Sequence, residues 1–87
     1  MDWSVENVID VLARRGSLQL FSALTGQPMN ERVLVHSRGT VTESVWLQRL
    51  AELKALDVVE EVRETGELRL SARGRRVQGI LDQLRAL

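Results

Sequence analysis

Apolar residues recur along the chain at two spacings, and the change from one to the other organises it. Val5, Val8, Ile9 and Leu12 lie three and four positions apart, the spacing of one helix face, with Ser4 placed to cap the first turn. Arg14 and Arg15 stand in the last turn, where cations suit the helix dipole, and Gly16 ends the helix. Ser17 is placed to cap a second helix carrying Leu18, Leu20, Phe21 and Leu24, closed by Gly26 and the break at Gln27-Pro28. Asn30 is placed to cap a third, with Val33, Leu34 and Val35 as its apolar side and Gly39 as its stop. Only Thr40, Val41 and Thr42 separate Gly39 from a fourth helix, the short turn that a helix-turn-helix requires.

The fourth helix is predicted over about residues 42–56, with Thr42 as its cap and Thr40 with Glu43 as an alternative capping box. At about 100° per residue, Val45, Trp46, Leu50, Leu53 and Leu56 gather on one side as the core stripe. Ser44, Leu47, Gln48, Ala51 and Ala55 gather on the other, facing outward. Residues 58–71, VVEEVRETGELRLS, then change to a spacing of two and predict a hairpin. A two-residue turn at Thr65-Gly66 would set Val62 against Arg69. A three-residue loop, Glu64-Thr65-Gly66 with Gly66 left-handed, sets Val62 against Leu68, Arg63 against Glu67 and Glu61 against Arg69. Apolar then meets apolar and opposite charges meet, so the second register is the one expected. A final helix over about residues 73–87 carries the stripe Val77, Ile80, Leu81, Leu84 and Leu87, with Gly79 on its opposite face. Trp3 fits either the core or a dimer contact.

This order of elements predicts a mostly α single domain over 1–87 with a small antiparallel β-hairpin, a winged helix-turn-helix. Helix 42–56 is its recognition helix and 58–71 its wing. GTVTESVWLQRLAELKALDVVE resembles the pattern of bacterial and archaeal winged-helix regulators of the HxlR, PadR, ArsR and MarR kind. Gly39, Val41, Thr42, Trp46, Arg49, Leu50, Leu53 and Leu56 carry the match. LRLSARGRRV resembles the "Leu-Thr-x-x-Gly-Arg" lead-in to their last helix, through Leu70, Ser71, Gly74 and Arg75. Asp57 stands where those proteins have Gly, Glu43 and Leu47 where many are basic or polar, and the wing tip Glu64-Thr65-Gly66-Glu67 is acidic. Asp tolerates the left-handed backbone better than most residues, so the turn at Asp57 is expected to survive.

The resemblance implies a homodimer that reads double-stranded DNA. Thr42 and Ser44 would position a phosphate, Gln48 would pair with adenine, and Leu47 would touch a thymine methyl. Arg38, Arg63 and Arg69 would hold flanking phosphates. Val77, Ile80, Leu81 and Leu84 would pair two subunits.

Charge qualifies that expectation. Twelve basic and twelve acidic residues cancel, and phosphate neutralisation supplies most non-specific DNA affinity. Every cation but Lys54 is arginine, a bias that a GC-rich genome also produces. Neutrality, the acidic wing and the apolar Leu47–Ala51–Ala55 face favour the alternative, a winged-helix module that binds a protein partner. Arg73, Arg75 and Arg76 form the densest basic cluster, set against the dipole at a helix start.

Catalysis has little to draw on. The absence of cysteine excludes disulfides, thiolate zinc sites and cysteine nucleophiles. His36 is the single histidine, and its neighbour Ser37 points about 100° away on a helix. No enzyme activity, metal or cofactor is expected. A chain of this size buries only about 60% of its unfolded surface, so the core is thin and little room is expected for a ligand pocket. No apolar run approaches the roughly 20 residues of a membrane span, and the acidic start lacks a secretion signal's apolar stretch. The expected location is cytoplasmic.

Overall fold

The computed structural model describes residues 5–86. The Ser4 cap, Trp3 and Leu87 lie outside the described residues. The elements run α1 (Val5–Leu12), α2 (Ser17–Ala23), α3 (Glu31–His36), α4 (Glu43–Ala55), β1 (Val59–Glu61), β2 (Leu68–Leu70) and α5 (Ala72–Arg85).

Local chemistry starts three of the helices. Asn30 Oδ1 accepts the Val33 N–H at 2.8 Å, and Thr42 Oγ1 accepts the Val45 N–H at 3.3 Å. Ser71 Oγ accepts the Gly74 N–H at 3.0 Å. Each bond satisfies a donor that the first helical turn leaves over. α2 departs from the expectation: its cap is Gly16, at φ 90°, and Ser17 is the first helical residue. Ser17 is buried, and its hydroxyl has no partner among the described residues. The chain bends here beneath Val41, whose Cγ1 lies 3.3 Å from where a Gly16 Cβ would stand, and that packing sets where the helix begins.

Trp46, Leu50 and Leu53 of α4 and its C-cap Leu56 all face the core, packed with Leu20, Phe21 and Leu24 of the α2 region and with Leu34 of α3. Fully burying side chains of this size contributes about 1.5–3 kcal/mol each. The Trp46 indole N–H is buried without a partner among the described residues, so this ring contributes by packing. On α1 the expected stripe is rotated. Val8, Val11 and Leu12 are buried, whereas Ile9 is 60% exposed. Apolar residues cover more of α1 than the core can take, and Ile9 falls at the edge of the buried arc.

The hairpin register also differs from the expected one. Val59 lies opposite Leu70, Glu60 opposite Arg69, and Glu61 opposite Leu68. The expected pairing of Val62 with Leu68 would have set Glu60 opposite Leu70, on the core face, because a one-residue slip moves every side chain to the other side. The observed pairing buries Val59 with Leu70 and turns Glu60 and Arg69 outward. Met29 adds a third rung on the far side of β2, exchanging both backbone hydrogen bonds with Leu68 at 2.8 Å. The loop therefore has four residues, 63–66. Val62 donates to Glu67 O and accepts from Gly66 N–H, each at 2.7 Å. Gly66 is left-handed, at φ 74°, as the turn requires.

α4, the hairpin and α5 meet at one junction. Asp57 turns the chain out of α4 at φ 61°. Ser71 N–H donates to Val58 O at 3.0 Å, and its hydroxyl donates to Asp57 O at 2.5 Å. Gly74 then passes so close that a Cβ would stand 2.1 Å from Val58 O. Overpacking of this kind costs about 1–3 kcal/mol or more. Gly74→Ala is expected to lose at least about 2 kcal/mol in urea denaturation, by the same reasoning. The exposed Gly79, with nothing near its missing Cβ, should gain on the same change. Equal effects at the two positions would refute the close-approach account.

Candidate nucleic-acid interface

Burying Trp46, Leu50 and Leu53 leaves the opposite side of α4 to solvent. Ser44, Gln48, Ala51 and Ala55 are exposed, and Leu47 is 39% exposed. Thr42 caps the helix, exposed, with its hydroxyl oxygen engaged in the cap. Three of the residues expected to meet DNA (Ser44, Leu47 and Gln48) thus share one open helix side, and the fourth, Thr42, is exposed at the helix start. The fold does not cover that surface with its own backbone.

The arginines divide. Arg38 is half-buried and donates from Nη1 to Val35 O at 2.9 Å, closing the end of α3. Arg69 is bound through Nε to Glu60 Oε2 at 2.6 Å, across the strand pair. Sequence reasoning paired it with Glu61. The register shift makes Glu60 its partner, while the opposite-charge contact itself remains. Arg63 is exposed in the wing loop and has no ion pair among the described residues. Glu61, Glu64 and Thr65 are exposed around it, so the wing tip is an acidic surface with one cation. Arg73, from the cluster at the start of α5, turns back to α4, with Nη1 3.4 Å from Leu56 O and 3.9 Å from Asp57 Oδ2.

Behind α4, a charged cluster fixes the helix to the α1–α2 corner. Glu52 bonds to Arg49 with one carboxylate oxygen and to Arg14 with the other. Arg49 also donates from Nε to Arg15 O at 3.1 Å, and Arg14 reaches Asp10 at 3.3 Å. Burial pushes the Glu52 carboxyl up, but the hydrogen bond and charge of Arg49, with those of Arg14, outweigh it and hold the group below its ordinary value. Arg49 belongs to the Arg-Leu pair that carries the family resemblance, and here its work is structural.

On the other side of the molecule, α1 and α5 leave an apolar groove of about 60 Å³. Its floor is Val8, Leu12, Val77 and Leu81, and its rim is Ile9, Ile80 and Leu84. Ile80 is 46% and Leu84 58% exposed. The expected subunit contacts Val77, Ile80, Leu81 and Leu84 therefore lie together, with the first of them buried in the chain's own core. Sequence reasoning missed Ile9. Counting Val11 into the α1 stripe would have shown that arc too wide for one core and left Ile9 over.

No protein-family model matches the chain, and no curated protein matches it. Solved structures do. The chain is similar to the quinone-bound form of YodB from B. subtilis at 18% identity and a TM-score of 0.80, over 93% of this chain and 90% of that one. It is similar to the reduced form of the same transcriptional regulator at 20% identity and a TM-score of 0.80, over 99% and 89% of the two chains. The diamide-treated form aligns at 18% identity and a TM-score of 0.77, over 99% and 90%. At these identities the likeness establishes the winged-helix fold. The present sequence has no cysteine and so no thiol for diamide to oxidise.

The Glu52 cluster carries an acid dependence. A carboxyl whose folded pKa is depressed binds its proton less readily folded than unfolded. Its stabilisation is complete above the ordinary value of 4.5 and disappears as pH falls through the folded value. Urea midpoints measured as a function of pH should fall below about pH 4.5 in the parent chain and fall less steeply in Glu52→Gln. Parallel curves would remove the cluster from the account of stability.

Proposed function

We propose that the chain is a DNA-binding transcriptional regulator that reads duplex DNA with α4 and works as a homodimer, without catalysis of its own. The observation that carries this reading is the open outer face of α4, on a fold shared with a protein described as a transcriptional regulator. In this reading the exposed side of α4 lies in the major groove. Gln48 offers a carboxamide with the geometry to pair with adenine, and Leu47 offers an apolar surface to a thymine methyl. Thr42, Ser44 and the free amides of the first turn position a phosphate.

Arg63 is the wing's phosphate contact, and Arg38 and Arg69 assist through the guanidinium nitrogens that Val35 and Glu60 leave over. The Ile9–Ile80–Leu84 rim pairs two subunits, so that two copies of α4 meet half-sites about one DNA turn apart. Such a regulator acts in the cytoplasm; no helix among the described residues is long and apolar enough to cross a membrane.

Net neutrality and the acidic wing favour a second reading, in which the Leu47–Ala51–Ala55 face binds a protein and DNA is not bound. Titration against random duplex DNA at several salt concentrations separates the two. A regulator binds with a log–log slope of about −0.9 for each phosphate neutralised. Gln48→Ala should then leave random-duplex affinity unchanged and cost about 1–3 kcal/mol of discrimination at one base pair of a selected site. No binding at low salt would hand the α4 face to a protein partner.

The dimer has its own test. Leu84→Arg should convert a dimer at micromolar concentration to a monomer in light scattering, with unchanged circular dichroism. A parent chain that is already monomeric there would remove the half-site arrangement.

A further inference from the structure

A second groove lies away from α4, between the α2–α3 loop and the start of α5. It has a volume of about 340 Å³, within the range of small-ligand sites. Leu24 and Leu70 are its apolar part, and residues 25–28 form one wall. Arg69 enters from β2, Arg75 and Gln78 from α5, and Gln27 from the loop. Two arginines and two glutamines thus line one concavity, and no Asp or Glu does.

Charge makes this combination specific. The chain as a whole is neutral; here Arg75 adds an unpaired cation beside Arg69, whose charge Glu60 partly offsets from outside the groove, so the lining is locally positive. Glu60 holds Arg69 through Nε, which orients the guanidinium and leaves both terminal nitrogens without a partner among the described residues. Arg75 is exposed, and its guanidinium has no hydrogen bond or ion pair among the described residues. It stands in the first turn of α5, where the helix dipole disfavours a cation. An anion between the two arginines would relieve both costs, because a guanidinium offers paired N–H donors that match a carboxylate or phosphate edge. Gln27 and Gln78 supply neutral donors and acceptors for the rest of such a molecule.

We propose that this groove binds a small ligand bearing a carboxylate or phosphate group, held between Arg69 and Arg75. The site does not depend on DNA reading. Arg69 is the one residue that it shares with the proposed DNA contacts, and its test contains no DNA.

The test is a heteronuclear NMR titration of the whole chain with inorganic phosphate and, separately, with succinate, at ionic strength matched by sodium chloride. The expected result is a saturable shift of the Thr25, Gly26 and Gln27 amides and of the Arg69 and Arg75 Nε–H signals. Saturation by phosphate alone assigns a phosphate ligand, and saturation by succinate alone a carboxylate. Arg75→Gln should weaken that binding by about tenfold or more, the loss expected for a charge-assisted hydrogen-bonded pair. Arg76→Gln, next to Arg75 on α5 but outside the groove lining, should leave it unchanged. Shifts that stay linear with concentration for both anions, or that are the same in Arg75→Gln, would overturn the proposal.

Discussion

The approach of Gly74 to the carbonyl of Val58 is the constraint on which the arrangement depends. The residues on either side of that contact belong to three elements. Asp57 and Val58 end α4 and begin the hairpin, Ser71 closes the hairpin, and Gly74 lies in the first turn of α5. The Ser71 hydroxyl donates to Asp57 O while accepting from Gly74 N–H, so one side chain terminates one segment and starts the next. A side chain at position 74 would force α5 outward and break both bonds. With the contact intact, the outer face of α4, the wing and the apolar side of α5 stand in one fixed relation. In a chain with so thin a core, a polar junction of this kind does what additional apolar area would do in a larger domain.

The arginines take their meaning from the same economy of size. Arg14, Arg38, Arg49, Arg69 and Arg73 all bond to the chain's own carboxylates or carbonyls. They close helix ends and tie corners together, which accounts for much of an arginine-rich yet neutral composition. The cations whose side chains bond to nothing among the described residues are Arg15, Arg32, Lys54, Arg63, Arg75, Arg76 and Arg85. All are exposed, and they are scattered over the helices, the α1–α2 corner and the wing rather than gathered in one stripe. A DNA reader built this way would draw its affinity from shape and from the amides at the head of α4 more than from a broad positive surface.

Much of this was legible in the primary structure. The caps at Asn30 and Thr42, the two sides of α4, the left-handed turn at Gly66 and the survival of the Asp57 turn all follow from residues within a few positions of one another. Other features were hidden because they depend on distant partners. Ile9 has the spacing of a core residue, yet the buried arc of α1 runs through Val11, Val8 and Leu12 and ends short of it. Ser17 has the chemistry of a cap, but packing under Val41 gives the role to Gly16. The pairing of Val62 with Leu68 looks best in the isolated hairpin. It loses because it would turn Glu60 inward, and because Met29, some forty positions before Leu68, already holds the other edge of that strand. The groove between residues 25–28 and α5 could not be foreseen at all, since its walls come from three separate stretches.

Local periodicity and capping chemistry by themselves determined which segments are helix or strand and which side of α4 is apolar, since those energies act between near neighbours. Tertiary structure alone decided the strand register, the fate of each arginine, the exposure of Ile9 and the existence of the second groove. Each of those turns on which distant group arrives first at a given carbonyl, carboxylate or cavity, and a linear order of residues does not encode that until the chain has closed on itself.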